Sequence, residues 1–197
     1  EVMLKTEATP EMIKSKGYDA VLAAIGADVI VPKITGWDSK NVYDLMAVYG
    51  REKDLGKNVV IVGGGEFGAE TAIYLAKAGH RTTIMTSEKE LLRHDRIHYP
   101  EYIIDTYEHL ENFHLILEAM PKSVSEGKVI YTDAKGNEKS IQADSVVLYG
   151  GLRQKKAEAL KFSGSAKNAF LTIGECAGKG GNILNVTHSA FFAASQI

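Results

Sequence analysis

Apolar runs alternating with amphipathic stretches divide the chain into strand and helix signals. Val59-Val60-Ile61-Val62 is an unbroken apolar run, the pattern of a strand covered on both faces. It leads directly into Gly63-Gly64-Gly65-Glu66-Phe67-Gly68, after which Ala69, Ala72, Ile73 and Ala76 recur at helical spacing as an inward stripe. Gly79 stops that helix, and Arg81-Thr82-Thr83-Ile84-Met85-Thr86 predicts a second strand. Pro100 opens another helix with Tyr99, Ile103, Tyr107 and Leu110 on its apolar face and Glu101, Asp105 and Glu108 on its polar one. Residues 113–117 predict a returning strand. Residues 128–133 and 139–142 flank a glycine-containing loop at 134–137 and predict a hairpin, and residues 144–151 predict the next buried strand.

Toward the N-terminus, Val2-Met3-Leu4-Lys5-Thr6 predicts a short strand. Thr9 as cap, with Pro10 in the first helical position, predicts a brief helix through Lys16 that Gly17 closes. Residues 18–26 predict a buried strand ending on a glycine, and Pro32, Gly36 and the polar stretch 38–41 mark a crossover. At the other end Phe170-Leu171-Thr172-Ile173 predicts a strand, Gly178, Gly180 and Gly181 a flexible loop, and residues 185–197 a closing apolar helix. The alternation implies an α/β protein with a Rossmann-like parallel sheet and an antiparallel β-excursion. No repeat or low-complexity segment is present.

Composition narrows the partners. The 197 residues are 45% hydrophobic and 24% charged with formal net charge −2, enough apolar material for a core. Near-neutral charge without basic runs argues against nucleic acid, and no apolar stretch approaches the length of a membrane span. One cysteine, Cys176, excludes an internal disulfide and suits a reducing cytoplasm; no secretory leader opens the sequence. A chain that starts at Glu1 and stops within an apolar helix pattern reads as a fragment of a longer protein.

The glycines carry the chemistry. Gly63 permits a sharp turn off the strand, Gly65 lets backbone approach a pyrophosphate, and Gly68 lets the helix pack closely. The N–H groups and positive end of the new helix then face the phosphates, so the run predicts a dinucleotide site. Glu66 brings negative charge to that site, tolerated at a helix start. Thr86 and Ser87, with Glu88 just beyond, end the second strand, where an acidic residue favours NAD and arginines favour NADP. Arg93 and Arg96 are within sequence reach of a phosphate, while Glu88 opposes it; the balance leans to NADH. His94 and His98 stand four apart but lack a third ligand, and His109 and His114 straddle a helix end, so no metal is expected. Cys176 reads as a small buried hydrophobe.

Three pieces in order resemble the pyridine nucleotide–disulfide oxidoreductase superfamily: Ala24-Ile25-Gly26 with Pro32 and Gly36, the fingerprint from Gly63 to Ala72, and Phe170 to Cys176. The resemblance implies an NAD(P)-binding domain inserted in a partial FAD-binding domain. It divides the chain into residues 1–56 (partial FAD-binding domain and crossover), 57–151 (NAD(P)H-binding domain) and 152–197 (C-terminal part of the FAD-binding domain). The fingerprint and the ending Ala190-Phe191-Phe192-Ala193-Ala194 are most similar to the 2-enoate reductase and 2,4-dienoyl-CoA reductase-like branch (NADH:flavin oxidoreductases). That branch implies hydride transfer from NAD(P)H to FAD, then electron flow through a 4Fe-4S cluster to FMN in an upstream barrel, reducing a carbon–carbon double bond. The residues it implies are Gly63, Gly64, Gly65, Glu66, Phe67, Gly68, Glu70, Thr86, Ser87, Gly150 and Gly151 on the nicotinamide dinucleotide, and Ala24, Gly26, Gly174 and Glu175 on FAD. Binding is implied rather than acid–base catalysis, with Glu70 orienting the nicotinamide side or forming a plain helix salt bridge. The sequence departs from the pattern at Ile25, usually Thr, at Glu175, usually Asp, and at Tyr149-Gly150-Gly151, an unusual second glycine turn. A disulfide reductase is the first alternative, although residues 58–151 hold no cysteine; a non-enzymatic dinucleotide-binding redox sensor is the second.

Overall fold

The structure, a computed structural model, describes residues 1–92, 100–178 and 182–197. Contacts divide the chain into two units, residues 1–28 with 152–197, and residues 29–151. The first begins with helix α1 (Pro10–Lys16), whose opening N–H at Met12 donates to the Thr9 hydroxyl at 3.2 Å, as the sequence predicts. Residues 2–6 form no strand: Val2 and Leu4 are 82% and 80% exposed, with no ladder to bury them. Of the run at 18–26 only β1 (Ala20–Ala23) is strand; the chain turns at Gly26, φ +70°, and a separate strand β2 (Ala27–Val29) follows.

In the second unit the elements are β3 (Val42–Asp44), β4 (Asn58–Val62), α2 (Gly65–Lys77), β5 (Arg81–Met85), α3 (Pro100–Glu108) and β6 (Phe113–Ile116). An antiparallel sheet follows, β7 (Met120–Ser125), β8 (Lys128–Thr132) and β9 (Glu138–Gln142), before β10 (Ser145–Leu148). The main sheet is parallel with order β3-β10-β4-β5-β6. Strand periodicity explains why β4 is apolar from Val59 to Val62. Val59 and Ile61 belong to the core shared with Ala69, Ala72, Leu75 and Ile84, whereas Val60 and Val62 belong to the core shared with Val124, Val129 and Tyr131. The α2 stripe of Ala69, Ala72, Ile73 and Ala76 is buried as its spacing predicts. Leu45, Val48 and Leu55 are buried in the same core, so the stretch from 29 to 56 is structural material of this unit.

One surface carboxylate ties the start of β4 to the strand beside it. Asp144 accepts from the Lys57 and Asn58 N–H groups at 2.9 and 2.7 Å and from the Asn58 amide at 3.0 Å. The Asn58 backbone bond is the largest influence holding its carboxyl below the ordinary value. A depressed carboxyl stabilises the fold above its unfolded pKa and loses that contribution as pH falls through the folded value. Asp144→Ala is therefore expected to cost about 1 kcal/mol near neutrality, solvent screening included, and to flatten the loss of stability below about pH 4. Urea midpoints measured across that range check it.

The first unit closes with β11 (Leu152–Gln154), α4 (Lys156–Leu160), β12 (Ala169–Thr172) and α5 (Ile183–Ala194). β1 and β12 pair in parallel, Ala23 opposite Thr172. Cys176 is fully buried, its sulfur 3.2 Å from the carbonyl oxygens of both Ala23 and Ile173, which share its single thiol proton. α5 is apolar on most of its surface, with Ile183, Phe191 and Phe192 at 87%, 70% and 61% exposure. Among the described residues no helix is long and apolar enough to cross a membrane.

Candidate functional site

The β4 strand ends between two neighbours, Val62 standing in register with Met85 of β5 and Leu148 of β10. The Gly63 N–H donates to the Met85 carbonyl, and the Tyr149 N–H donates to the Val62 carbonyl, both at 2.9 Å. Gly63 is thus clasped from both sides. Its φ is +115°, and a Cβ built there would stand 1.9 Å from the Tyr149 carbonyl oxygen. α2 starts two residues later, and Gly64 at its cap offers no side chain to the helix N–H groups. A Cβ on Gly68 would lie 2.7 Å from the Gly63 oxygen, so the helix start sits against the strand end at backbone contact.

A cleft of about 510 Å³ opens above this turn. Gly63, Gly64, Gly65, Glu66, Phe67, Thr86, Ser87, Gly150 and Gly151 all line it. Gly68 is buried behind the turn, and Glu70, half-buried, is not among the lining residues. Thr86 is buried, its hydroxyl accepting the Glu88 N–H at 3.3 Å, while the exposed Ser87 and Glu88 continue the rim. Walls that sequence reasoning did not assign include Pro32, Glu90, Leu91, Leu92, Met120, Pro121 and Tyr149. Pro121 and Met120 open β7, and only the fold carries them to the cleft.

Charge at the cleft is one-sided. Among the described lining residues are three carboxylates, Glu66, Glu88 and Glu90, and no Lys, Arg or His. Among the described residues, the groups that can meet a phosphate here are backbone N–H groups and the α2 dipole. The glycine cradle fits that demand, since Gly63, Gly64 and Gly65 line the cleft with backbone alone. Arg93, His94, Arg96, His98, Tyr99, Gly180 and Gly181 lie outside the described residues.

In the other unit the parallel pairing of β1 and β12 sets Ala24 to Gly26 beside Gly174 and Glu175, at the same end of the two strands. The Ile173 N–H donates to the Ala23 carbonyl at 3.0 Å, and the Gly174 N–H donates to the Ser189 hydroxyl of α5 at 3.1 Å. Glu175 is half-buried in a short 3-10 turn, Gly174–Ala177. A Cβ on Gly26 meets nothing within 4 Å, so open space adjoins that turn.

Comparisons with known proteins agree with this architecture. The family model described as pyridine nucleotide-disulphide oxidoreductase matches residues 3–172. Cinnamate reductase of Clostridium sporogenes is 32% identical over all of this chain and 29% of its own length. Bilirubin reductase of Mediterraneibacter gnavus is 26% identical over all of this chain and 30% of its own. The structure of 2-naphthoyl-CoA reductase in complex with 2-naphthoyl-CoA superposes with a TM-score of 0.87 at 27% identity, covering 98% of this chain and 29% of that one. The chain therefore spans less than a third of the length of these relatives.

Proposed function

The chain belongs to the pyridine nucleotide-disulphide oxidoreductase family and resembles its 2-enoate reductase-like branch, and from that premise we propose that it supplies the NAD(P)H-binding domain and part of the FAD-binding domain of a flavin-dependent oxidoreductase. The observation that carries the reading is the Gly63 turn, clasped between β5 and β10 with α2 starting against it. The Gly63-Gly64-Gly65 backbone and the first turn of α2 hold the pyrophosphate. Thr86, Ser87 and Glu88 hold the adenosine ribose, and Gly150 and Gly151 let the nicotinamide half pass closely. Ala24, Gly26, Gly174 and Glu175 form the edge on which FAD rests once the remainder of its domain is present. Residues 57–151 are the NAD(P)H-binding domain in this reading, with the crossover 29–56 packed into the same unit and 1–28 and 152–197 contributing to the FAD side. When bound, NAD(P)H would supply a hydride and FAD would accept it, the Gly63-Gly64-Gly65 turn holding the first and the Gly26 and Gly174 edge the second. In this reading a 4Fe-4S cluster and an FMN barrel elsewhere in the polypeptide would supply the redox chemistry for reducing an enoate- or dienoyl-CoA-type double bond, in the cytoplasm.

Glu88 and Glu90 on the rim at the end of β5 favour NADH over NADPH, since a 2′-phosphate would face both carboxylates. Anaerobic titration of the full-length flavoprotein is expected to bleach the flavin with NADH at a concentration about tenfold lower than with NADPH. A flavin that neither nucleotide bleaches would overturn the enzyme reading. Equal response to both would overturn the assignment of the rim.

A further inference from the structure

At the end of the parallel sheet opposite the glycine turn lies a second cavity, of about 150 Å³, for which the dinucleotide has no use. The cleft opens where β4 and β5 finish. This cavity opens where they begin, at Asn58 and Arg81, roughly 13 Å away along the strands. Both belong to the unit of residues 29–151. Val62 and Met85, late in their strands, share a core with Val124 and Val129 of the antiparallel sheet. Nearer the strand starts the same face meets the end of β9, Ile141 and Gln142, and the cavity lies there. Strand alternation puts Arg81 and Thr83 on one face with Met85, and register sets Asn58 beside Arg81 and Val60 beside Thr83.

The polar groups of this cavity are short of partners. Thr83 is 4% exposed, yet its hydroxyl has no hydrogen-bond partner among the described residues. A hydroxyl so placed has given up water without replacement, a deficit that a ligand would repair. Arg81 donates its Nε–H to His114 Nε2 at 3.1 Å and forms no ion pair among the described residues. Both terminal amino groups of its guanidinium therefore remain for a ligand. His114 stands opposite Thr83 in register, and burial, followed by the Arg81 charge, holds its pKa below the usual value. A neutral imidazole thus orients the Arg81 charge without cancelling it. Gln142 has no side-chain partner among the described residues either. Asn58 gives one amide N–H to Asp144 at 3.0 Å and keeps the other. Asp144 is not among the lining residues, and three N–H donors already meet its charge.

We propose that this cavity is a phosphate site, in which the Arg81 guanidinium spans two oxygens while the Thr83 hydroxyl and the Asn58 and Gln142 amides bind the others. The donors come from three strands, β4, β5 and β9, and so reach the ligand from several directions. A tetrahedral oxyanion answers all of them, whereas a carboxylate offers its oxygens in one plane. The volume suits one phosphate group, being half that of the smallest ordinary small-molecule pockets, about 300 Å³.

Equilibrium dialysis of the full-length flavoprotein against radiolabelled inorganic phosphate, with saturating NAD+ to fill the cleft, is expected to show a site with a Kd of about 1 mM or tighter. Thr83→Val removes a hydroxyl that bonds to nothing described in the protein. It is expected to leave the unfolding midpoint unchanged or raised and to weaken phosphate about tenfold, the worth of one hydrogen bond to a charged group. Arg81→Gln is expected to weaken it by more than about tenfold. NADH titration is expected to be the same in both variants as in the parent, which a general loss of folding would not permit. Displacement by glycerol 3-phosphate would identify a monoester as the occupant and its failure free phosphate, and either supports the site. No phosphate bound by the parent, binding that survives both substitutions, or displacement by acetate as effective as by unlabelled phosphate overturns the proposal.

Discussion

Gly63→Val is expected to abolish dinucleotide binding and to destabilise the unit formed by residues 29–151 by at least about 3 kcal/mol, a large part of a typical domain's stability. Two costs combine. A side chain at φ +115° is strained, at about 1–2 kcal/mol. The Cβ would also stand 1.9 Å from the Tyr149 carbonyl oxygen, a main-chain atom that no rotamer change can move. Relief requires β10 to draw away from β4, and the bond from the Tyr149 N–H to the Val62 carbonyl would lengthen with it. Denaturant unfolding can be followed through Trp37, the only tryptophan of the sequence, which lies within this unit. A variant within 0.5 kcal/mol of the parent, a shift typical of an innocuous surface change, would mean that the turn is not built as described.

Leu75→Ala is expected to cost about 2–5 kcal/mol, yet to change nucleotide affinity less than about threefold at temperatures where the variant stays folded. Leu75 has no exposed surface and packs α2 against the sheet, in the core with Val59, Ile61 and Ile84. Truncation leaves a cavity that a closely packed helix and sheet can close only in part. The residue is not part of the cleft's lining. Comparing its unfolding midpoint and NADH titration with those of Gly63→Val separates the stability of the scaffold from the shape of the turn. If Leu75→Ala lost affinity as completely as Gly63→Val, the site would depend on the whole of α2 rather than on its first turn.

The central βαβ segment was legible because its signals are local. Four consecutive β-formers, a glycine run and an alanine stripe each state their structure within a few residues, and β4 and α2 follow them closely. β3 and β7 were not legible. Val42 pairs with Val146, more than a hundred residues away, and Met120-Pro121-Lys122-Ser123-Val124-Ser125 contains a proline and little apolar alternation. Its strand identity comes from the β8 partner. Val2 to Thr6 erred the other way, since β-propensity without a neighbouring strand buries nothing. The same division holds for the cleft. Glycines, Thr86 and Ser87 are marked by motif and strand end, whereas Leu91, Leu92, Met120 and Pro121 reach it through long-range folding. Glu70 falls inside the motif but off the cleft wall, because two further residues of helix carry it around the axis from Gly68.

The lone thiol of this chain, shut beneath two main-chain oxygens, leaves a chemically blank surface for maleimide labelling. A cysteine placed at the exposed Ser87 would then be the single reactive handle. A fluorophore coupled there would report nucleotide arrival from the cleft rim, free of background from Cys176.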